Sequence, residues 1–402
     1  MPHKSRKPNR RSRTMRIAML EYIMAHSRAE MHVPKANGVK LHCMSLPQVS
    51  IIINNYNYER YLAEAIESAL RQDYPHKEVL VVDDGSTDGS RTLIEQYVPH
   101  VKPIYKANGG QASAFNRGVQ EAQGELILFL DADDVLFPEA IRVGVSRWRP
   151  GVSCVQWRLQ GLNPHGKPME SLFPQDPQIS GNLARHVARY GYYPHPPTSG
   201  LLFARDALAQ ILPIDEQKWR ISADAPLYTA VPFLGEIEAF SQPLGYYRLH
   251  GTNYWNNPKP DLKRMCSQVE HEIGKAEVIR EYALRRGVVP APHLELVNPR
   301  ILLYRSAIYL LGVIQPWNRN DTLPKLARWG VRSAFYYPYI PYFKRRIRLA
   351  TIFLSLLYKD KNRALQIVMR RLFSHVPPEE IETFIHQVHQ QLSSSTPKTD
   401  IG

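Results

Sequence analysis

The chain has 402 residues, of which 44% are hydrophobic and 22% charged, and it carries a formal net charge of +14. This composition excludes a disordered chain, and the length exceeds what one hydrophobic core usually fills, so we expect two domains or one domain with an appendage. The three cysteines lack the spacing of a metal site or a disulfide framework, which fits a reducing compartment. No Gly-x-Gly-x-x-Gly or Gly-x-x-x-x-Gly-Lys-Ser/Thr stretch occurs, which disfavours a dinucleotide dehydrogenase or a P-loop enzyme.

The N-terminal segment is strongly basic. Between Lys4 and Arg16 the chain carries only positive charges and no acid. A run of like charges is solvated and repels itself, so residues 1–47 are predicted to be a disordered tail.

Apolar strands and amphipathic helices alternate from residue 49 onward. Residues 49–53, 78–82 and 126–130 are apolar runs typical of buried parallel strands, and residues 112–122 show helical spacing between the second and third of them. This alternation predicts an α/β fold with a parallel, doubly wound sheet.

Acidic residues follow two of these strands. Asp83 and Asp84 end one apolar run, while Asp131, Asp133 and Asp134 end another. Open α/β sheets bind ligands beyond the carboxyl ends of their strands, so both groups are expected in one crevice. An Asp-x-Asp pair suits oxygen-liganded Mg²⁺ or Mn²⁺. The alternative is a turn whose aspartates cap the helix that starts near residue 138.

Four segments in this order resemble the successive motifs of family 2 glycosyltransferases: residues 50–57, 81–88, 108–116 and 130–134. The resemblance extends from about residue 49 to residue 253. It implies a GT-A fold, which is a nucleotide-diphospho-sugar transferase-like α/β sandwich, and inverting transfer of a sugar to an acceptor hydroxyl. The implied donor is a nucleoside-diphosphate sugar, foremost a UDP-sugar. The implied acceptor is a glycan, polysaccharide or lipid-linked molecule of the cell envelope, and no nucleic acid partner is expected.

The resemblance also implies roles for the strand-end residues. Asp133 is the expected ligand of a divalent cofactor, Mn²⁺ or Mg²⁺, and Asp131 should lie nearer the ribose of the donor. Asp84 should reach the nucleobase, which Tyr56 should flank, and Ser86 offers a hydroxyl to the donor in the same loop.

Three further residues fall where the family's third motif meets the donor. Gln111 and Asn116 offer amides, and Lys106 could face the phosphates. Loop polar groups commonly satisfy backbone, so Asn116 could instead cross-link local turns and Lys106 could be a solvated charge.

The acceptor side of the resemblance contains residues 221–227 and 243–253. Asp224 is the predicted general base, although it could also be only a helix N-cap, and Asp215 or Glu216 could substitute for it. His250 is predicted to bind the metal or to donate a hydrogen bond to phosphate, against the alternative of a structural histidine. The aromatic residues 191–197 could form a sugar-stacking wall or merely cover the sheet.

The chain therefore divides into a basic segment at 1–47, a GT-A domain at 48–256, a helical extension at 257–390 and a disordered tail at 391–402. Within the extension, aromatic and basic residues precede the apolar stretch 349–357, which is too short to span a bilayer. This pattern favours an interfacial helix on an anionic membrane over a helix buried in a bundle. The protein is therefore expected to be cytoplasmic and peripheral on the inner face of the plasma membrane.

Two rival functions are compatible with the sequence. A nucleotidyltransferase-like enzyme on a related α/β scaffold would attack phosphorus with two metals, and would be expected to carry more basic residues near the first glycine-rich turn. A catalytically silent glycan- or membrane-binding protein could have kept the fold.

Overall fold

The computed structural model describes residues 46–251 and 259–395. Most of the predicted N-terminal tail, the end of the 243–253 motif and residues 396–402 lie outside the described residues. The strands are β1 (Val49–Asn55), β2 (Lys77–Asp83), β3 (Lys102–Tyr105), β4 (Leu126–Asp131), β5 (Val135–Leu136), β6 (Val152–Leu162), β7 (Pro168–Phe173), β8 (Leu201–Ala204) and β9 (Glu236–Arg248). The helices that accompany them are α1 (Glu59–Leu70), α2 (Ser90–Glu95), α3 (Gln111–Glu121), α4 (Ala140–Arg147), α5 (Ala184–Tyr190), α6 (Arg205–Leu208) and α7 (Asp224–Ala230).

The strands form one sheet in the order β3-β2-β1-β4-β8-β6-β9-β5, and β7 pairs with β6. Strands β1 to β4 are parallel to one another, as predicted. Their central members are apolar on both faces because helices cover both sides of the sheet. Beyond β4 the sheet is mixed, since β8 runs antiparallel to both β4 and β6. The predicted α/β class is thus confirmed, and the half of the sheet beyond β4 combines antiparallel pairs with the parallel pair β6–β9.

The register brings the ends of three strands to the same edge. Asn54 pairs with Asp131 across β1 and β4, and Asn55 pairs with Asp83 across β1 and β2. Gly85 adopts a φ of +79° just after β2, and a Cβ there would lie 2.7 Å from the backbone nitrogen of Asn108. A side chain would therefore push away the neighbouring loop at this edge.

After residue 259 the described chain is helical. Its helices are α8 (Leu262–Arg285), α9 (Pro299–Leu310), α10 (Leu323–Tyr336), α11 (Phe343–Leu354), α12 (Lys361–Leu372) and α13 (Pro378–Ser395). The predicted helical extension is present. Helix α13 continues past residue 391, where a disordered tail was predicted, because its apolar stripe, which includes Ile385, Val388 and Leu392, packs on the other helices.

Helix α8 connects two hydrophobic clusters. Its N-terminal part, including Met265 and Val269, packs with helices α9 to α13. Its C-terminal part, including Ile279 and Ala283, packs into the cluster that surrounds the sheet. The extension is therefore joined to the sheet domain by a shared helix that buries side chains in both cores.

The interfacial stretch predicted in the extension corresponds to α11 and the 3₁₀ turn Ser355–Leu357. Leu349 and Phe353 are buried in the helical cluster, whereas Ile347 and Leu354 are exposed. The stretch thus packs on its own bundle and still presents apolar side chains to solvent. Among the described residues, no helix has both the length and the apolar character required to cross a bilayer.

Candidate active site

A cavity of about 970 Å³ opens at the carboxyl ends of β1, β2 and β4. Six of the predicted site residues line it: Tyr56, Asp84, Gln111, Asp131, Asp133 and Asp224. The two acidic strand ends therefore share one crevice, as the sequence predicted. Tyr56 is 46% exposed at the cavity wall, where a planar ligand could stack on its ring.

Asp131 ends β4 among polar partners. Its Oδ1 accepts a hydrogen bond from Asn54 Nδ2 at 3.1 Å and a longer one from Gln111 Nε2 at 3.5 Å. Burial, together with the negative charges of Asp133 and Asp224, raises the pKa of Asp131 to about 7. This carboxylate would therefore gain from a neighbouring positive charge.

Asp133 contacts the last motif of the domain. Its Oδ2 lies 2.8 Å from His250 Nε2, and its backbone oxygen accepts a hydrogen bond from Arg248 Nε at 2.8 Å. The His250 ring stacks on Tyr61 at 5.3 Å between centroids. The imidazole is thus held in place beside the carboxylate of Asp133, which the sequence predicted to be a metal ligand.

Asp134, the third acid of this cluster, is fully buried and has a structural role. Its Oδ2 accepts a hydrogen bond from Ser199 Oγ at 2.7 Å, and its Oδ1 accepts one from the Arg248 backbone nitrogen at 3.0 Å. Burial and the charges of Asp133 and Asp131 raise its pKa well above the ordinary value. A proton on Asp134 would relieve the repulsion among the three acids.

Asp224 is the first residue of α7, and it lines the same cavity although it is far from the strand-end aspartates in sequence. Its Oδ2 accepts a hydrogen bond from Thr198 Oγ1 at 3.0 Å. Burial raises its pKa, while the Thr198 hydrogen bond and the charge of Lys275 act in the lowering direction. Gln111 bridges the two sides of the cavity, since its Oε1 accepts from the Ala223 backbone nitrogen at 3.0 Å.

Neither upstream substitute for the base is placed for that role. The Asp215 carboxylate accepts hydrogen bonds from the backbone nitrogens of Gln217 and Lys218, both at 3.0 Å. Glu216 accepts a hydrogen bond from the Asn116 amide at 3.2 Å. Asp224 is thus the carboxylate that combines an acceptor-side sequence position with a place in the cavity wall.

Asp84 lines the cavity and is also bonded to the neighbouring loop, and its predicted contact with the nucleobase stays a prediction. Its two oxygens accept hydrogen bonds from the backbone nitrogens of Gly109 and Gly110 and from the side chains of Lys106 and Asn108, at 2.6–3.1 Å. A carboxylate has about four acceptor positions, so the loop occupies them all. The Lys106 ammonium group forms an ion pair with Asp84 at 2.6 Å, and its predicted contact with the phosphates stays a prediction.

Asn116 and Ser86 also form hydrogen bonds with neighbouring parts of the protein. The Asn116 amide donates to the Ile214 backbone oxygen at 2.9 Å and accepts from the Ile214 nitrogen at 2.8 Å, which is the cross-linking alternative considered above. Ser86 Oγ accepts from Asn55 Nδ2 at 3.0 Å and from the Asn57 backbone nitrogen at 2.9 Å. Neither residue is among those that line the cavity, and their predicted donor contacts stay predictions.

The cavity edge has oxygen donors suited to a hard divalent cation. Asp131 and Asp133 offer carboxylates, and the Oδ1 atom of Asn54 is buried without a hydrogen-bond partner among the described residues. No group of three or more His, Cys, Asp or Glu side chains within residues 46–251 and 259–395 is arranged as a metal site. Mg²⁺ and Mn²⁺ are commonly held by one or two carboxylates plus substrate phosphates and water, so the residues fit such an ion.

The helical extension supplies part of the cavity wall, which sequence motifs did not reveal. His271, Glu272 and Lys275 on α8 line the cavity, as does Arg300 on α9. Lys275 is buried, and its Nζ lies 3.1 Å from Glu272 Oε2. A lysine on the inner face of an amphipathic helix, three residues after a glutamate, is the one signal that could have indicated this buried pair.

The aromatic segment at 191–197 belongs to the same wall. His195 stacks on Tyr228 with 3.7 Å between ring centroids, and both residues line the cavity with Tyr192. Lys275 Nζ lies 5.8 Å from the centre of the Tyr228 ring. Burial lowers the pKa of His195 to about 3, so this imidazole is neutral near pH 7 and stacks as an uncharged ring.

Comparison with known sequences identifies the domain. Residues 50–212 match the sequence model described as Glycosyl transferase family 2. A glycosyltransferase of Nostoc sp. is 42% identical over 212 residues, which are 51% of this chain and 66% of that protein. The chain thus spans slightly less than two thirds of this relative.

Two further proteins match a smaller part of the chain or match it with lower sequence identity. A Bacillus subtilis glycosyltransferase named for teichuronic acid biosynthesis is 40% identical over 92 residues, 22% of this chain and 36% of that protein. TarS from S. aureus, whose structure contains UDP-GlcNAc, is 18% identical to this chain and superposes with a TM-score of 0.46. The match covers 81% of this chain and 91% of that one. The sequence matches thus identify residues 50–212 as a glycosyltransferase family 2 domain.

Proposed function

We propose that this protein is an inverting glycosyltransferase that moves a sugar from a nucleoside-diphosphate sugar to an acceptor hydroxyl. The observation that carries the proposal is the shared cavity, in which the strand-end acids Asp131 and Asp133 and the candidate base Asp224 all line the wall. Asp131 and Asp224 are close enough for their charges to interact, and the charge of Asp224 contributes to the raised pKa of Asp131. The family match favours this chemistry over a nucleotidyltransferase.

Asp131 and Asp133 are proposed to hold Mn²⁺ or Mg²⁺ together with the donor diphosphate. When bound there, the ion would stabilise the negative charge that develops on the leaving diphosphate. His250 orients the Asp133 carboxylate through the 2.8 Å contact, and could also bind the ion. Tyr56 flanks the base of the donor nucleotide at the cavity rim.

Asp224 is proposed to take the proton of the acceptor hydroxyl. The acceptor oxygen then forms a bond to the anomeric carbon of the sugar while the bond from that carbon to the diphosphate oxygen breaks. Thr198 holds one carboxylate oxygen at 3.0 Å, which fixes the side chain without removing its second oxygen from the reaction. The acceptor would enter along the wall formed by His195, Tyr228 and the α8 residues.

The donor nucleotide and acceptor class are proposed from chemistry and relatives together. A UDP-sugar is the proposed donor, and a glycan or lipid-linked molecule of the cell envelope is the proposed acceptor. The Bacillus subtilis relative, named for teichuronic acid biosynthesis, supports a role in polysaccharide assembly. The exposed apolar side chains of α11 support a peripheral position at an anionic membrane.

A donor panel tests this function. Purified protein is mixed with individual nucleotide sugars in the presence and absence of Mn²⁺, and both thermal stabilisation and slow donor hydrolysis are measured. One nucleotide sugar should raise the melting temperature in a metal-dependent way and should be hydrolysed slowly. If no nucleotide sugar stabilises the protein with either Mn²⁺ or Mg²⁺, the proposed function is wrong.

A further inference from the structure

A second cavity, of about 700 Å³, adjoins the catalytic cavity. Arg220, Ile221 and His271 line both of them. Arg220 and Ile221 belong to the loop that leads into Asp224, the candidate base. A molecule that presents one end to Asp224 could therefore extend past this loop into the second cavity, whose volume is within the range of about 300–1,000 Å³ usual for ligand pockets.

Adjacent faces of helix α8 line the two cavities. The face toward the catalytic cavity carries Gln268, Glu272 and Lys275. The face toward the second cavity carries residues at helical spacing, namely Ser267, Glu270, Gly274 and Glu277. Between positions 267 and 277 an α-helix advances about 15 Å, at about 1.5 Å per residue. The second cavity is therefore an elongated space that runs along α8.

Trp219 forms one aromatic wall of the second cavity. Its indole packs on α8 at Gly274, where an added Cβ would lie only 3.0 Å from Cη2 of the ring. The indole also makes an edge contact with His271, at 5.7 Å between ring centroids. Because the glycine leaves the helix surface open at this point, the indole is held against α8 and needs little reordering when a ligand binds.

Trp317, in the 3₁₀ turn Pro316–Asn318, also lines the second cavity and is half-buried. Its Nε1 donates a hydrogen bond to Glu270 Oε1 at 3.3 Å. The guanidinium group of Arg305 lies 5.5 Å from the centre of the indole, and Arg305 is itself held by a buried ion pair with Asp321 at 2.5 Å. The Trp317 ring is thus fixed in orientation while part of its surface stays accessible to a ligand.

The charged residues of the second cavity balance one another. Among its described lining residues, the cations are Lys218 and Arg220 and the carboxylates are Glu270 and Glu277. Lys218 Nζ and Glu277 Oε2 form an ion pair at 2.6 Å. Burial lowers the pKa of His271 to about 3, so this imidazole is neutral near pH 7. An uncharged ligand with many hydrogen-bonding groups suits this lining, because a purely apolar ligand would cover the charged groups without replacing their water.

We propose that the second cavity binds the uncharged sugar residues that adjoin the reacting end of a glycan acceptor. The inference rests on the proposed function and names its acceptor class: a chain of two or more neutral sugars. The apolar face of a sugar ring can pack on an indole, while its hydroxyl groups donate to carboxylates and accept from cations. Trp219 and Trp317 supply the indoles, and the loop before Asp224 connects this site with the candidate base.

Calorimetric titration of the full chain tests the proposal without requiring transfer. The probes are glucose, galactose, mannose and N-acetylglucosamine, each as the monosaccharide and as a neutral oligosaccharide of two to five residues. In at least one series the affinity should rise about tenfold or more from the monosaccharide to the trisaccharide. Trp317→Ala should lose about tenfold for that trisaccharide, the usual scale of one aromatic contact, and should bind the monosaccharide as the original chain does.

Two further variants act as controls. Trp317→Phe keeps a flat ring and should keep most of the gain with chain length. Trp329→Ala removes another half-buried indole of the extension, which does not line the second cavity, and should bind every probe as the original chain does. Far-ultraviolet circular dichroism checks that all three variants fold. If Trp317→Ala does not fold, the comparison of chain lengths in the original chain still tests the proposal.

Four results would overturn the proposal. The first is the absence of a gain with chain length in every series, and the second is an equal gain in folded Trp317→Ala. The third is tighter binding of a galacturonate trisaccharide than of any neutral one, which would indicate an anion site. The fourth is an equal gain from the alkyl chain of octyl glucoside, which would indicate an apolar ligand. Because these titrations contain no donor, they can fail while the donor panel succeeds, and then only the glycan site is wrong.

Discussion

His250 Nε2 and Asp133 Oδ2 lie 2.8 Å apart, so the motif that ends β9 directly contacts the acid that follows β4. The imidazole is packed between Tyr61, at 5.3 Å, and Tyr58, at 5.9 Å between ring centroids. Two residues that are 117 positions apart in sequence thus form one unit at the cavity edge. This contact allows His250 to act as a metal ligand or as the group that orients Asp133.

Substitution of His250 separates these two roles. His250→Ala should weaken Mn²⁺-dependent donor binding by about 10- to 100-fold, which is the usual cost of losing such a supporting contact. His250→Gln keeps a hydrogen-bond donor for Asp133 and should restore much of the affinity if the role is orientation. Calorimetric titration of donor with Mn²⁺ measures both variants. Unchanged affinity in His250→Ala would contradict any role at the metal.

Asp224 is expected to act on the acceptor and not on the donor. Asp224→Asn keeps the shape of the side chain and its hydrogen bond with Thr198, but the amide cannot take a proton. Turnover should fall by about 10²- to 10⁴-fold while donor affinity stays near that of the original chain. Steady-state transfer and donor titration give the two values. A parallel loss of donor affinity would indicate a structural role for Asp224.

The charge of Lys275 should determine the pH at which kcat/KM falls on the acidic side of its pH profile. The base must be ionised, so kcat/KM should rise with pH through the raised pKa of Asp224. Lys275 lowers that pKa by its charge, and Lys275→Met should therefore move the acidic limb to higher pH. Lys275→Arg keeps the charge and should leave the limb close to its original position.

Lys263→Met provides the control for Lys275, because Lys263 is an exposed lysine on the same helix. Its pH profile should match that of the original chain. If Lys275→Met lowers activity equally at every pH, then Lys275 contributes packing and not charge.

Asn116 should affect stability and not donor binding. Asn116→Leu leaves the backbone N–H and C=O of Ile214 without their amide partners in a buried site. The expected loss is about 1–3 kcal/mol in the free energy of unfolding, measured by urea titration. Donor affinity under folded conditions should not change. If Asn116→Leu has normal stability but fails to bind donor, the result would support the donor contact that the motif predicts for Asn116.

The sequence predicted the strand ends well because apolar runs and adjacent acids are local signals. The order from β1 to β4 and the convergence of Asp131 with Asp133 and Asp224 follow that prediction. The sequence left the roles of Asn116 and Lys106 open, because their partners, Ile214 and Asp84, are not adjacent in sequence. A motif gives a residue's position but not its hydrogen-bond partner.

The contribution of the extension could not be predicted for a similar reason. Lys275 and Arg300 lie outside the motifs, and they reach the cavity because α8 packs on the sheet domain and α9 packs on α8. The mixed half of the sheet was also missed, since the sequence patterns of β6 and β8 do not distinguish parallel from antiparallel pairing.

The most direct measurement of the central claim is donor binding by Asp133→Asn compared with the original chain, each titrated with and without Mn²⁺ after treatment with a chelator. The original chain should bind its nucleotide sugar tightly only with Mn²⁺ present, and Asp133→Asn should lose that metal-dependent gain while remaining folded. Equal, metal-independent donor binding by both proteins would contradict the claim that the strand-end aspartates hold the donor through a divalent ion.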